Sequence, residues 1–352
     1  MVTGAYPPIK CGVGDYTFQL ANSLSKLPRV SVGVLTSILA VPSSDQNLSV
    51  INAIRSWSLW YLPKILRTIV QFGPDIVHIQ YPTQGCAAPM LLPLVLRVFG
   101  YKVVQTWHEH YCECSAIGLP NLFACRAIIH VRHDLPSKLP YWMKRLFGTT
   151  RQRLVHIPND SSIPITNLSA AEAELIKVEY VAEKSLVCFF GFAYPNKGIE
   201  RLFEIADPLN HHLVLVCDLN ENDPYQSRIR CLTEEARWNG CITVTGFLPA
   251  SRVAEILAVA DCVVFPFPDG TGDWNTSLRS AERAGAFTIA TTKETQLLGY
   301  NEERNIAFTS CDDLAGMRRE LLTRAGTRTL ASQQNEWQKI AQMHEQVYQD
   351  CM

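Results

Sequence analysis

The stretch Pro266 to Thr292, PFPDGTGDWNTSLRSAERAGAFTIATT, gathers residues able to hold an anion. A short apolar strand, Cys262-Val263-Val264-Phe265, runs into it, and the loop that follows carries Asp269, Gly270, Thr271, Gly272 and Asp273. Asn275, Thr276 and Ser277 then open a helix. The first N–H groups of a helix lack partners inside it and sit at the positive end of its dipole, so a turn of this kind suits a phosphate. Near the amino end, Cys11-Gly12-Val13-Gly14-Asp15-Tyr16 is a second such turn. Gly12 and Gly14 let backbone N–H groups approach a phosphate or sugar, although a tight strand-to-helix turn with no ligand has the same pattern. A third group, His108-Glu109-His110-Tyr111-Cys112-Glu113-Cys114, alternates residues that can ligate zinc. Tetrahedral sites usually draw on two separated pairs of ligands. The run therefore reads as a loop with incidental cysteines, and no metal site is expected.

These residues need elements to place them. Val30 to Leu35, Asp75 to Ile79, Lys102 to Thr106, Ala127 to Val131 and Leu154 to Asn159 are strand-like, and Trp57 to Phe72 and Met90 to Phe99 are apolar at helical spacing. Alternation of this kind means a parallel sheet with helices on both faces. A polar stretch from Asp160 to Lys184, with an Ala/Glu-rich helix, is the interdomain linker candidate. The pattern then restarts, with strands at Ser185 to Phe190, Leu213 to Cys217, Ile242 to Val244, Cys262 to Phe265 and Phe287 to Ala290, and helices between them. The fold class is α/β, two tandem Rossmann-like doubly wound domains. They are expected at 1–163 and 164–329, with a cleft at the carboxyl ends of the two sheets. A last helix within 330–352, apolar on the face of Trp337, Ile340, Ala341, Val347 and Tyr348, is expected to pack back toward the first domain. Only Met1-Val2-Thr3 precedes the glycine turn, whereas a central strand takes about five or six residues. Either the strand is stunted or the start lies upstream.

Composition bounds the partners. Of 352 residues, 47% are hydrophobic and 18% charged, which is enough apolar material for packed cores. The formal net charge of -1 lacks the basic footprint of a nucleic-acid binder. No apolar run reaches the ~18 residues that span a bilayer. No signal-peptide pattern opens the chain, so a cytoplasmic protein with reduced thiols is expected. Trp57 to Lys64 and Tyr141 to Phe147 mix aromatic with basic residues. They read either as amphipathic helices packed on a sheet or as peripheral contacts with the inner face of a membrane.

Taken in order, several segments resemble the large family four of retaining GT-B glycosyltransferases (glycosyl transferases group 1). They are Tyr6-Pro7-Pro8 with the Gly12–Gly14 turn, Pro74-Asp75-Ile76-Val77-His78, Thr106-Trp107-His108-Glu109 and Val155-His156-Ile157-Pro158-Asn159. Further along come Phe190-Gly191-Phe192 with Asn196-Lys197-Gly198, Thr245-Gly246-Phe247-Leu248, and Ala284-Gly285 to Thr291. The likeness spans nearly the whole chain; each motif is weak alone, and their order makes them specific.

That resemblance implies a hexosyl transfer from a nucleotide-diphosphate sugar to a glycan or lipid-linked acceptor, in surface polysaccharide assembly. No cofactor or divalent metal would be needed. The donor would contact Gly12, Gly14, Gly191, Asn196, Lys197, Asp269, Thr271, Asn275, Thr276, Ser277 and Ser280. Lys197 would neutralise the diphosphate leaving group as its charge grows. The Arg that many members carry a few residues earlier is absent from Gly191-Phe192-Ala193-Tyr194. His108 would hydrogen-bond a sugar hydroxyl and Glu109 would orient an acceptor hydroxyl. The family's E-x7-E glutamates fall on Gly272 and Ser280. Asp273 is expected to substitute partly for the first. Ser280 can still reach a ribose hydroxyl without charge assistance, and Glu282, rotated by ~200° on the helix, faces away. Two other classes stay open: a glycosyltransferase-like binding protein without catalysis, and a GT-B sugar-nucleotide epimerase.

Overall fold

The computed structural model describes residues 1–83, 91–109, 119–149, 153–181, 183–293, 305–329 and 336–352. The chain divides into two compact units, one of Met1–Asn159 with Asn335–Met352 and the other of Asp160–Gln334.

The first unit contains β1 (Val32–Ser37), β2 (Ser43–Ser44), β3 (Leu48–Ile54), β4 (Ile76–Tyr81), β5 (Lys102–Trp107), β6 (Ala127–His130) and β7 (Arg153–His156). They form two runs, β1-β3-β2 and β4-β5-β6-β7, parallel throughout except for β2 against β3. The amino end stitches the runs together. Val2 bridges Leu35 on one side and Ile79 on the other, donating to His78 O at 2.8 Å and accepting from Gln80 N at 3.0 Å. Val2 thus occupies the place between β1 and β4 where the central strand is expected. β3 was not foreseen, because Ser49 and Asn52 interrupt its apolar pattern.

The helix expected over Trp57–Phe72 begins only at Leu62, after a 3-10 turn at Leu59–Tyr61. Pro63 suits the first turn, where its missing N–H costs nothing, and Gly73 ends the helix at φ 66°. The last helix, Glu336–Cys351, buries Trp337, Ile340, Ala341, His344, Val347 and Cys351. It lies along the helix Gly12–Leu24, with Trp337 edge-on to Tyr16 at 5.3 Å between ring centroids.

The second unit is one six-stranded parallel sheet, in the order β10-β9-β8-β11-β12-β13. Its strands are β8 (Ser185–Phe190), β9 (His211–Val216), β10 (Ile242–Val244), β11 (Cys262–Phe265), β12 (Thr288–Thr292) and β13 (Ile306–Ser310). β9 and β11 are buried along their whole length, as expected where helices cover both faces. Phe189, Phe203, Trp238, Phe265 and Phe287 fill the core. The stretch read as a linker is built into this unit. Its helix Ala170–Val178 starts with a capping box of Ser169 and Glu172 and is tied down by Lys177 to Asp261 at 2.7 Å. The helix Leu314–Arg324 is capped by Asp313, which accepts from Gly316 N at 2.8 Å.

Candidate nucleotide-sugar site

In the second unit, β8 comes first; the chain then adds β9 and β10 to one side before returning to lay down β11, β12 and β13 on the other. The carboxyl ends of β8 and β11 therefore flank the point where strand order reverses, the place where such sheets bind ligands. Gly191 follows β8 at φ 149°, and the 3-10 turn Pro195–Lys197 closes on Gly198 at φ 61°. A Cβ on Gly198 would lie 2.5 Å from Pro266 O and 2.9 Å from Pro268 Cδ. Only glycine lets this turn sit against the loop that leaves β11. Lys197 Nζ consequently lies 4.1 Å above the Phe267 ring centroid. Lys197 is brought beside the loop that starts at Pro266, and exposed Asn196 precedes it in the same turn.

That loop is held from within. Thr271 donates both its N–H and its hydroxyl to Thr291 O, each at 2.7 Å, and Thr291 Oγ1 donates to Phe267 O at 2.7 Å. Thr271, expected to contact a donor, thus spends its proton on the strand beside it. Asn275 turns its side chain back to accept from Gly272 N at 2.6 Å. It gives the helix Thr276–Arg283 no side-chain cap. The helix start at Thr276 and Ser277 has the character an anion needs. Asp273 is buried at 3% exposure, whereas Asp269 is exposed and pairs with Lys293 at 3.0 Å.

The two positions where the resemblance implies glutamate, Gly272 and Ser280, are both occupied closely. A Cβ on Gly272 would fall 2.2 to 2.4 Å from atoms of the Trp274 ring, so the indole fills the space into which a side chain would project. Ser280 is 3% exposed. Its hydroxyl donates to Thr276 O at 2.8 Å and pairs with Ser161 Oγ at 2.7 Å, while Arg283, one turn on, holds Asp160. Ser280, expected to meet a ribose, instead fastens the helix to the first residues of its own unit. Glu282 is buried at 8% exposure.

In the first unit, a Cβ on Gly14 would come within 3.2 Å of the Ala5 backbone, whereas one on Gly12 would meet nothing within 4 Å. Gly14 serves close packing of the turn on itself, and Gly12 faces open space. Burial raises the Asp15 carboxyl to about 6. His108 follows β5 directly. Its Nε2 lies 2.8 Å from Gln80 Oε1, and its ring stands edge-on to Tyr16 at 4.7 Å. Burial lowers its pKa to about 3, with His344 adding to the shift, so the imidazole is neutral. Glu109 is exposed and 3.9 Å from Arg132.

Among the described residues no group of His, Cys, Asp or Glu could hold a metal ion; His110, Cys112 and Cys114 lie outside them. The aromatic–basic segments divide: Trp60 and Tyr141 are 92% and 77% exposed, while Met143 is fully buried. Among the described residues no helix is long and apolar enough to cross a membrane. A cavity of about 550 Å3 in the first unit is lined by Met1, Val32, Gly33, Phe72, Val77 and Tyr348 among others. It includes none of the site residues expected from sequence.

Sequence reasoning missed Trp274 and Gln80, and gave Gly198 no role of its own. Gly198 carried a signal in Asn196-Lys197-Gly198; the other two show their roles only through side-chain placement.

Two Rossmann-like units in tandem, closed by a helix that returns to the first, make the GT-B fold. Solved structures with this architecture match the chain over nearly its full length. Sucrose-phosphate synthase from Thermosynechococcus elongatus aligns at TM-score 0.70 and 17% identity, over 97% of this chain and 93% of its own. Anabaena Alr3699/HepE in complex with UDP and glucose aligns at 0.71 and 14%, over 99% and 98%. UDP-GlcNAc 2-epimerase from Methanocaldococcus jannaschii aligns at 0.60 and 9%, over 98% of each chain. No family model and no curated protein matches the sequence.

Proposed function

We propose that the chain is a retaining glycosyltransferase that moves a hexosyl group from a nucleotide-diphosphate sugar to a glycan or lipid-linked acceptor. The observation that carries this reading is the seating of the Lys197 turn on the Pro266–Asn275 loop, where strand order reverses in the second unit. A cation and a helix start with no side-chain cap then lie on one loop system. Together they can take up the charge that grows on a departing diphosphate. The second unit takes the donor, with Gly191, Asn196, Lys197, Thr276 and Ser277 around its phosphates and Asp273 near the sugar. The first unit takes the acceptor, with His108 and Glu109 directed to hydroxyls, and Gly12 contacts the donor. Surface polysaccharide assembly is the setting that the sequence resemblance suggests. With Lys197 and the helix dipole bearing the charge, transfer proceeds without a divalent metal.

A second reading is a binding protein without turnover. It is favoured by Trp274 filling the space at Gly272 and by the engaged hydroxyl of Ser280. A thermal-shift panel with UDP, GDP, ADP, CMP and dTDP, free and as sugar conjugates, addresses the donor site. It is run with and without EDTA on wild type and Lys197→Ala. A ligand at 100 times its dissociation constant adds about 2.7 kcal/mol, several degrees of melting temperature. The expected result is a shift with one nucleotide series, indifferent to EDTA and lost in Lys197→Ala. No shift with any nucleotide refutes the donor site. A shift without transfer or slow hydrolysis of the sugar conjugate favours the binding protein. A product that keeps its nucleotide favours an epimerase.

A further inference from the structure

We infer that Gln80 is a positioning residue for His108: its side-chain carbonyl holds the imidazole with the proton on Nε2, so that Nδ1 is the acceptor offered to a sugar hydroxyl. The inference deepens the glycosyltransferase reading and rests on it for the identity of the hydroxyl. The tautomer itself rests on geometry alone.

Gln80 is fully buried on β4, and its Oε1 lies 2.8 Å from His108 Nε2. An amide oxygen only accepts, so Nε2 carries the hydrogen. His108 Nδ1 has no hydrogen-bond partner among the described residues. A neutral imidazole has one donor and one acceptor nitrogen, and Gln80 decides which is which.

The placement of the Gln80 amide agrees with a buried chain behind it. Its amide nitrogen faces His78 Nε2 at 3.4 Å, a long contact in which His78 accepts. Thr106 Oγ1, at 2.7 Å, donates to the same nitrogen. The His78 proton then sits on Nδ1 and donates to Tyr348 OH at 2.7 Å, on the last helix. A parallel chain fixes the wall against which His108 stands. His344 donates from Nδ1 to Ile340 O at 2.7 Å, which leaves its Nε2 to accept from Tyr16 OH at 3.1 Å. Gln80, His78, Thr106, Tyr16 and His344 are all nearly or fully buried. The chain through Gln80 ends at the half-buried residues His108 and Tyr348.

The deciding measurement is nitrogen NMR of histidine-labelled full-length protein at neutral pH, with the His108 signals identified by their loss in His108→Gln. Wild type is expected to show His108 protonated on Nε2 alone. Gln80→Leu is expected to give a mixture of both tautomers, and Gln80→Glu, which keeps an acceptor at that place, to preserve Nε2–H. With a donor sugar identified, Gln80→Leu is expected to lower kcat/KM about tenfold, the worth of one hydrogen bond. The melting shift given by the free nucleotide should not change. A wild-type His108 protonated on Nδ1 overturns the inference, and so does a Gln80→Leu spectrum with an unchanged tautomer. The wild-type spectrum decides even if Gln80→Leu fails to fold. A correct tautomer in a protein that binds no nucleotide would leave Gln80 standing and sink the glycosyltransferase reading instead.

Discussion

A methyl group on Gly198 has nowhere to go. The residue sits at φ 61°, and the added carbon would lie 2.5 Å from a backbone oxygen of the neighbouring loop. Left-handed backbone costs a non-glycine residue about 1–2 kcal/mol before any collision is counted. Gly198→Ala is therefore expected to lower the melting temperature by several degrees. It should also weaken nucleotide binding, because the Lys197 turn must lift off Phe267; calorimetry and titration with the nucleotide check the two effects. A variant as stable as wild type would show that the turn is not seated as described. The Asn196-Lys197-Gly198 motif was legible in the sequence through its resemblance to a family's donor segment. Trp274 was not. Its side chain decides what fits at Gly272, and no spacing rule records which way an indole lies.

At the scale of one element, the helix Thr276–Arg283 shows why an absent carboxylate cannot simply be put back. Ser280 and Arg283 lie one turn apart and grip Ser161 and Asp160. Ser280→Glu would break the hydroxyl pair and bury a second carboxylate near Asp160. Unpaired buried charge is costly, so a loss of roughly 2–4 kcal/mol is expected, with no gain in nucleotide affinity. Urea unfolding and a thermal-shift titration measure the two. Tighter nucleotide binding by Ser280→Glu would mean that the side chain reaches the ligand after all. The helix start was legible from Asn275-Thr276-Ser277. The grip on residues 160–161 joins positions more than a hundred apart in sequence, and no local pattern reports such a contact. The same reason explains the polar stretch after Asp160: it looked like a tether and is instead packed into the second unit.

For the molecule as a whole, burial sets the response to acid. It lowers His108 to about 3 and His130 and His344 to about 4, and lowers His78 as well. All four lie in the first unit. Below the ordinary histidine value near 6.5 the unfolded chain takes up protons that the folded chain refuses. Their contribution to stability is complete above that pH and falls away as pH drops toward 4. The urea midpoint of the first unit, followed by hydrogen exchange, should therefore decline between pH 6.5 and 4; a flat profile there would contradict the burial of these rings. The two-unit plan was legible because doubly wound sheets repeat a strong strand–helix rhythm. The central strand was less so. Met1 lines the cavity between β1 and β4, and its ammonium is buried against Gly33 O. A residue placed ahead of Met1 would run between the edges of β1 and β4 and extend the pairing that Val2 makes with both.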